Sequence, residues 1–195
     1  MVGKTLNKKK DYIAKMAINV FSAKGYKESS LHDIATKGKL SKAGIYHYFK
    51  SKTDLLSYIL QRNTDNGFRQ LEECLEMTVQ KQLEPQQAFE QLVRTYADAI
   101  LNNQKVSLLV LRERHQLVGA NKKILTEKER AIFRLLRDKL KQVPNRKKKI
   151  NVNLMSFQIM SMIHWMGYWY DPKGTLSESE AVDQTMSVIF TGILE

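Results

Sequence analysis

Apolar residues recur at three- and four-residue intervals along almost the whole chain, and no stretch alternates them every second position. A period near 3.6 buries one face of a helix, whereas a half-buried strand needs a period of two, so the pattern confines the chain to an all-α fold. Residues 9–24 place Ile13, Met16, Ala17, Val20 and Phe21 on one face with lysines opposite, and Gly25 suits a left-handed stop. Ser30 with Asp33 forms a capping box, an aspartate replacing the usual Glu or Gln, for a short second helix ending near Lys37. Ser41 opens a third short helix through Ile45 and Phe49, and Ser51 with Asp54 opens a long fourth one through Leu75. Pro85 sits in the first turn of a fifth, ending near Asn102. Further helices are expected over about 105–118, 122–142 and 151–170, and from Ser177, with Glu180, to the chain end. That makes about nine. Nine glycines and three prolines among 195 residues leave them few interruptions, and 43% apolar residues suffice for a core.

Charge divides the chain more sharply than hydropathy does. Residues 1–52 hold twelve lysines against Asp11, Glu28 and Asp33, whereas 53–195 hold 20 Lys and Arg against 17 acids. A basic lobe of this kind suits a polyanion, most often nucleic acid and less often an anionic membrane, although it also serves plain solubility. A single cysteine, Cys74, excludes a disulfide framework and a cysteine-rich zinc site. His32, His47, His115 and His164 are dispersed, and there is no nucleophile elbow, phosphate-binding loop or His-Glu-x-x-His. We therefore expect no enzyme, cofactor or metal site. Met155–Tyr170 is too short for a membrane span and is interrupted by Ser156, Gln158, Ser161 and His164. No apolar signal core follows Lys8-Lys9-Lys10, so a cytoplasmic location is expected, with no membrane partner.

Two short helices joined by a few residues around Gly38 follow the helix-turn-helix plan, in which the second helix enters the major groove of DNA. The motifs Ile13–Gly25 (IAKMAINVFSAKG), Ser29–Ala35 (SSLHDIA) and Leu40–Leu56 (LSKAGIYHYFKSKTDLL) resemble the tetracycline-repressor (TetR) family of bacterial regulators. The resemblance implies a three-helix DNA-binding domain, residues 1–53, and a helical ligand-binding and dimerisation domain, residues 54–195. It implies a repressor that binds a palindromic double-stranded operator as a homodimer and releases it on binding a small effector. By position, it implies that Ser30, Tyr46 and the Gly44 amide bind phosphate oxygens, that Ser41 sits among them at the helix start, and that Lys52 anchors the flanking phosphate. His32, Lys42, Ala43 and His47 fall where the family reads bases. One departure stands out: the family usually has glycine where this chain has Lys39, one residue after Gly38. A left-handed Lys39 would bear about 1 kcal/mol of strain.

In the second domain, Leu109–Leu117 (LVLRERHQL) and His164–Gly192, with its W-x-x-x-W-Y-x-P-x-G-x-L-S segment, resemble TetR-type regulators of fatty-acid and sterol degradation that respond to acyl-coenzyme A. The soft apolar side chains Leu108, Leu111, Met155, Phe157, Met160, Met162 and Met166 suit the lining of an acyl tunnel, with Trp165 and Trp169 added by the resemblance, and Arg112, Arg114 and His115 suit the nucleotide phosphates. The same methionines would equally fill an ordinary core, so a different apolar or aromatic effector stays open, as does a nonspecific basic protein that coats DNA or membranes. Met186, Ile189, Phe190 and Ile193 repeat at helical spacing near the chain end and are the candidates for the dimer face.

Overall fold

The computed structural model describes residues 2–144 and 146–194, with side chains from Asn7 onward; Met1, Asn145 and Glu195 lie outside the description. Nine α-helices run through the described residues: α1 (Val2–Lys24), α2 (Leu31–Lys37), α3 (Lys42–Tyr48), α4 (Lys52–Gln80), α5 (Pro85–Asn102), α6 (Gln104–Glu113), α7 (Gly119–Gln142), α8 (Val152–Trp169) and α9 (Glu178–Ile193). Helix starts follow local chemistry. Ser30, Ser41, Ser51 and Ser177 each accept a backbone N–H at the N-cap, and at Ser30 and Ser177 the reciprocal carboxylate bond completes the box. Lys24 and Ser30 together hold the Asp33 carboxyl well below the usual carboxylate range, and Ser177 lowers that of Glu180. Gly25 ends α1 with φ +84°, as its position after the apolar stripe predicts.

The boundaries of α1 and α6 differ from expectation, α4 runs on to Gln80, and α7 starts three residues early, at Gly119. Helix α1 starts at Val2, well before residue 9. The sixth helix stops at Glu113, because Arg114–Gln116 tightens into a 3₁₀ turn. Leu117 then turns into the core, only 1% exposed, before α7 begins at Gly119.

Two hydrophobic cores form. The first joins Ile13, Phe21, Ile34, Ile45, Phe49 and Leu56 of α1–α4, and it also takes in Leu109, Leu117 and Leu125 from α6 and the chain beyond. The second joins Leu71 on the distal half of α4 with α5, α7, α8 and α9 around Phe89, Leu136 and Ile163. Helix α8 presses closely on α5: a Cβ at Gly167 would lie 2.5 Å from Ile100 Cγ2, so only glycine permits the crossing. The Gln104 side-chain amide donates to the Gly167 and Tyr170 carbonyls at 3.0 and 2.6 Å and satisfies the end of α8.

Candidate nucleic-acid interface and effector cavity

The candidate interface is α2, its turn and α3. Lys39 lies in the left-handed region at φ +50°, while Gly38 has an ordinary φ of −87°. The turn nonetheless closes as a Schellman motif: the Leu40 amide donates to Ala35 O at 2.9 Å and the Lys39 amide to Thr36 O at 3.2 Å. Glycine at position 38 serves packing instead, since a Cβ there would meet Ile34 O, Leu40 and Met16 at 3.3 Å. Tyr12 of α1 donates to the Gly38 carbonyl at 3.2 Å and holds the turn to the helix beneath it.

Helix α3 turns Ile45 into the core and presents Lys42, Ala43, Tyr46 and His47 outward, four exposed side chains within about a turn and a half. His32 is exposed on α2, and Ser30 and Ser41 are exposed at their caps. The Gly44 amide is already engaged, donating to Ser41 Oγ at 3.0 Å, because it is one of the orphan donors of a short helix.

Lys52 has an occupation other than the phosphate contact expected of it. Its ammonium donates to the carbonyls of Tyr26, Lys27 and Ser29 at 2.8, 3.1 and 2.7 Å and sits 4.5 Å from the Tyr26 ring centroid. All three donors are spent on the α1–α2 loop. Lys52 ties that loop to the start of α4, which is how α2 is set relative to α4.

In the second domain, α4–α8 enclose a cavity of about 320 Å³. Gly67 on α4 leaves it room, for a Cβ there would meet nothing within 4 Å. Ile100 and Ile132 line its apolar part, and Leu111 and Phe157, which are 41% and 62% exposed, stand at its mouth. Its polar groups come from all five helices and the 3₁₀ turn. Tyr96 Oη and His164 Nε2 lie 3.1 Å apart in a hydrogen bond. Burial pushes the His164 imidazole down to about 4, so it is neutral at pH 7, and burial with the nearby Glu129 charge pushes the Tyr96 phenol up. Arg114 pairs with Glu129 at 2.5 Å, and the partial burial of Glu129 raises its carboxyl despite that partner.

Of the side chains expected at the ligand, Leu111, Arg114, Phe157 and Met160 line this cavity, whereas Leu108, Arg112, His115, Met155, Met162, Trp165, Met166 and Trp169 do not. Helix α6 turns Ser107, Val110 and Leu111 toward it, and α8 turns Phe157, Met160 and His164. Leu108 is half-buried on another face of α6, the Arg112 guanidinium lies 5.1 Å from the Tyr168 ring centroid, and His115 bonds Gln116 at 2.9 Å. Met162 lines a groove against Ile189 of α9, and Met166 Sδ accepts from Thr185 at 3.2 Å. Trp165 stacks on Tyr168 with centroids 5.1 Å apart, and Trp169 packs edge-on to both; each tryptophan is largely exposed. The physical reason is helical phase, since one residue turns a side chain by about 100°. Tyr96, Glu129 and His164 were missed, although each is a polar residue within an apolar stripe, which was a usable signal.

The dimer candidates also sit elsewhere. Met186, Ile189 and Ile193 are buried in the chain's own second core, and Phe190 packs edge-on to Phe89 at 5.9 Å. The apolar side chains left outward on α8 and α9 are Leu154, Phe157, Trp165, Trp169 and Val188, all more than half exposed.

Comparison with known proteins agrees with this architecture. The family model described as bacterial regulatory proteins, tetR family, matches residues 13–59, and that of the tetracyclin repressor-like C-terminal domain matches residues 82–193. The chain belongs to the TetR family of bacterial transcriptional regulators, whose members are not enzymes. It is 25% identical over 181 residues to the transcriptional activator FasR of Mycolicibacterium smegmatis, covering 91% of this chain and 79% of that protein. It is 22% identical over 193 residues to the repressor KstR2 of the same organism, covering 96% and 91%. Among solved structures it resembles AibR in complex with isovaleryl coenzyme A and operator DNA, at a TM-score of 0.82, 20% identity and coverage of 93% and 98%. A TetR-family regulator from Bordetella parapertussis superimposes at a TM-score of 0.81 with 26% identity, covering 94% of each chain. No described helix is long and apolar enough to cross a membrane.

Proposed function

We propose that this regulator is a cytoplasmic homodimeric repressor that releases a near-palindromic operator when an acyl-coenzyme A thioester enters its second domain. Residues 1–53 form the reading head in this proposal, and 54–195 bind the effector and the second copy. Lys42, Ala43, His47 and His32 read base edges, while Ser30, Ser41 and Tyr46 hold phosphates; their shared exposure around α3 supports this assignment. Lys52 positions the head. The outward side chains Trp165, Trp169, Leu154 and Val188 of α8 and α9 pair with those of a second copy, which gives a large apolar face a cover.

The observation that carries the effector reading is the cavity, apolar along most of its wall, with the neutral Tyr96–His164 pair and the Arg114–Glu129 ion pair among its polar groups. An acyl chain fills the apolar part, and a carbonyl oxygen can accept from the buried pair. The likeness to AibR, solved with isovaleryl coenzyme A and operator DNA, supports the same class. The test is fluorescence anisotropy with an operator selected from random duplexes, titrated with free fatty acids, free coenzyme A and acyl-coenzyme A of varied chain length. A thioester should weaken operator binding about 5–150-fold, the span of typical coupling energies. If no thioester shifts the curve while an unrelated aromatic or cationic compound does, the effector assignment is wrong.

A further inference from the structure

A second hollow, of about 250 Å³, opens where α1 meets α4 and α6, between the reading head and the effector domain. Lys15 of α1 and Arg62 of α4 line it, together with Asp11, Ile18 and Val106. Asn63 and Asn103 form part of its wall and also part of the wall of the effector cavity, so two asparagines stand between the spaces.

The chemistry of a coenzyme A thioester decides how these spaces can be used. Its phosphates cannot enter the cavity beside Ile100, Ile132 and Met160, because a charge buried without partners costs several kcal/mol. They must leave either by the mouth at Leu111 and Phe157 or past the two asparagines. Among the described residues that line the cavity the one Lys or Arg is Arg114, already paired with Glu129 at 2.5 Å. The junction has two cations against one carboxylate. Lys15 is exposed and forms no ion pair among the described residues. Asp11 is engaged by Tyr58 Oη at 2.7 Å and by Arg62 at 3.1 Å.

We infer that the phosphate-bearing portion of the effector lies in this junction cleft on Lys15 and Arg62, while its amide-bearing arm passes Asn63 and Asn103 and its acyl group occupies the cavity. The inference rests on the acyl-thioester reading above. It also supplies a route for induction. Arg62 leaves Asp11 for a phosphate, and the clasp that holds α1 to α4 loosens. The effector then bears directly on a helix of the reading head, so no relay through the protein is needed.

The experiment is calorimetry on the full chain without DNA, using isovaleryl and octanoyl thioesters of coenzyme A and of pantetheine, which lacks the phosphates. The variants are Lys15→Gln, Lys15→Gln with Arg62→Gln, and Arg114→Gln. The unaltered chain should bind each coenzyme A thioester at least about tenfold more tightly than its pantetheine counterpart, the difference expected of charge-assisted contacts. Lys15→Gln should erode that ratio and the double variant abolish most of it. Pantetheine thioester binding should stay within about twofold, which also reports that the variants are folded. A ratio lost in Arg114→Gln and kept in the double variant would overturn the inference, since the phosphates would then leave by the mouth. Equal binding of both thioester types by the unaltered chain would overturn it and leave the thioester reading standing. Binding of neither type would remove that reading and this inference together.

Discussion

Replacing Lys52 by alanine separates two roles that would look alike in a DNA-binding assay alone. The ammonium makes three charge-assisted hydrogen bonds to the Tyr26, Lys27 and Ser29 carbonyls, of which those to Tyr26 and Ser29 are partly buried. The bond to Lys27 is exposed, so water replaces it at little cost. The two sheltered bonds contribute about 1 kcal/mol or somewhat more each, and the contact with the Tyr26 ring about 0.5–1 kcal/mol. The substitution should therefore cost about 2–4 kcal/mol of stability in the absence of DNA. For a chain of this size that lowers the melting temperature by about 4–16 °C. Operator affinity should fall for all sequences, because α2 loses its fixed setting, but the slope of log affinity against log salt should not change. A phosphate contact predicts the opposite pair of results: an unchanged melting temperature and a salt slope smaller by about one. Calorimetric melting together with anisotropy at several salt concentrations measures both. An unaltered melting temperature with a reduced slope would refute the positioning role.

The left-handed Lys39 predicts that Lys39→Gly stabilises the protein by about 0.5 kcal/mol, after allowing for the greater freedom of glycine in the unfolded chain; a lower urea midpoint would contradict this. Ile189→Glu buries a charge in the second core and should abolish cooperative unfolding, whereas Val188→Glu, one residue earlier and 61% exposed, should leave a folded monomer by sedimentation. A Val188→Glu chain that stays dimeric would move the proposed interface elsewhere. His164 is held neutral down to about pH 4, while the unfolded chain takes up a proton near pH 6.5, so its contribution makes stability fall as pH drops between those values. The loss approaches about 3 kcal/mol and levels off below pH 4, and it should vanish from the pH profile of His164→Gln. Matching profiles for the two chains would show that the imidazole is not shielded.

What the sequence disclosed and what it withheld divide along local and non-local lines. Ser30, Ser41, Ser51 and Ser177 announce helix starts because the capping bond is made within three residues, and those starts are where the structure has them. The exposed row on α3 was legible because Ile45 and Phe49 fix its phase. Helix α8 offered no such anchor. It carries apolar side chains on every side, so its neighbours α5, α7 and α9 decide which of them look into the cavity, and Phe157, Met160 and His164 do so while Trp165 and Trp169 look out. Lys52 misled for a related reason. Its carbonyl partners lie 23–26 residues earlier, and no spacing rule brings a lysine to a loop at that distance.

The leucines that α6 and its onward chain lend to the first core bear on how such regulators can be recombined. A graft that joined residues 1–80 to a foreign effector domain would leave the places of Leu109, Leu117 and Leu125 to be filled by whatever the new partner presents there. Each is at most 5% exposed, so an empty place forfeits about 1.5–3 kcal/mol of burial. A working chimaera would have to carry these three side chains across with the head, and the seam between exchangeable parts therefore runs through the middle of α6 and the first turns of α7 instead of along α4.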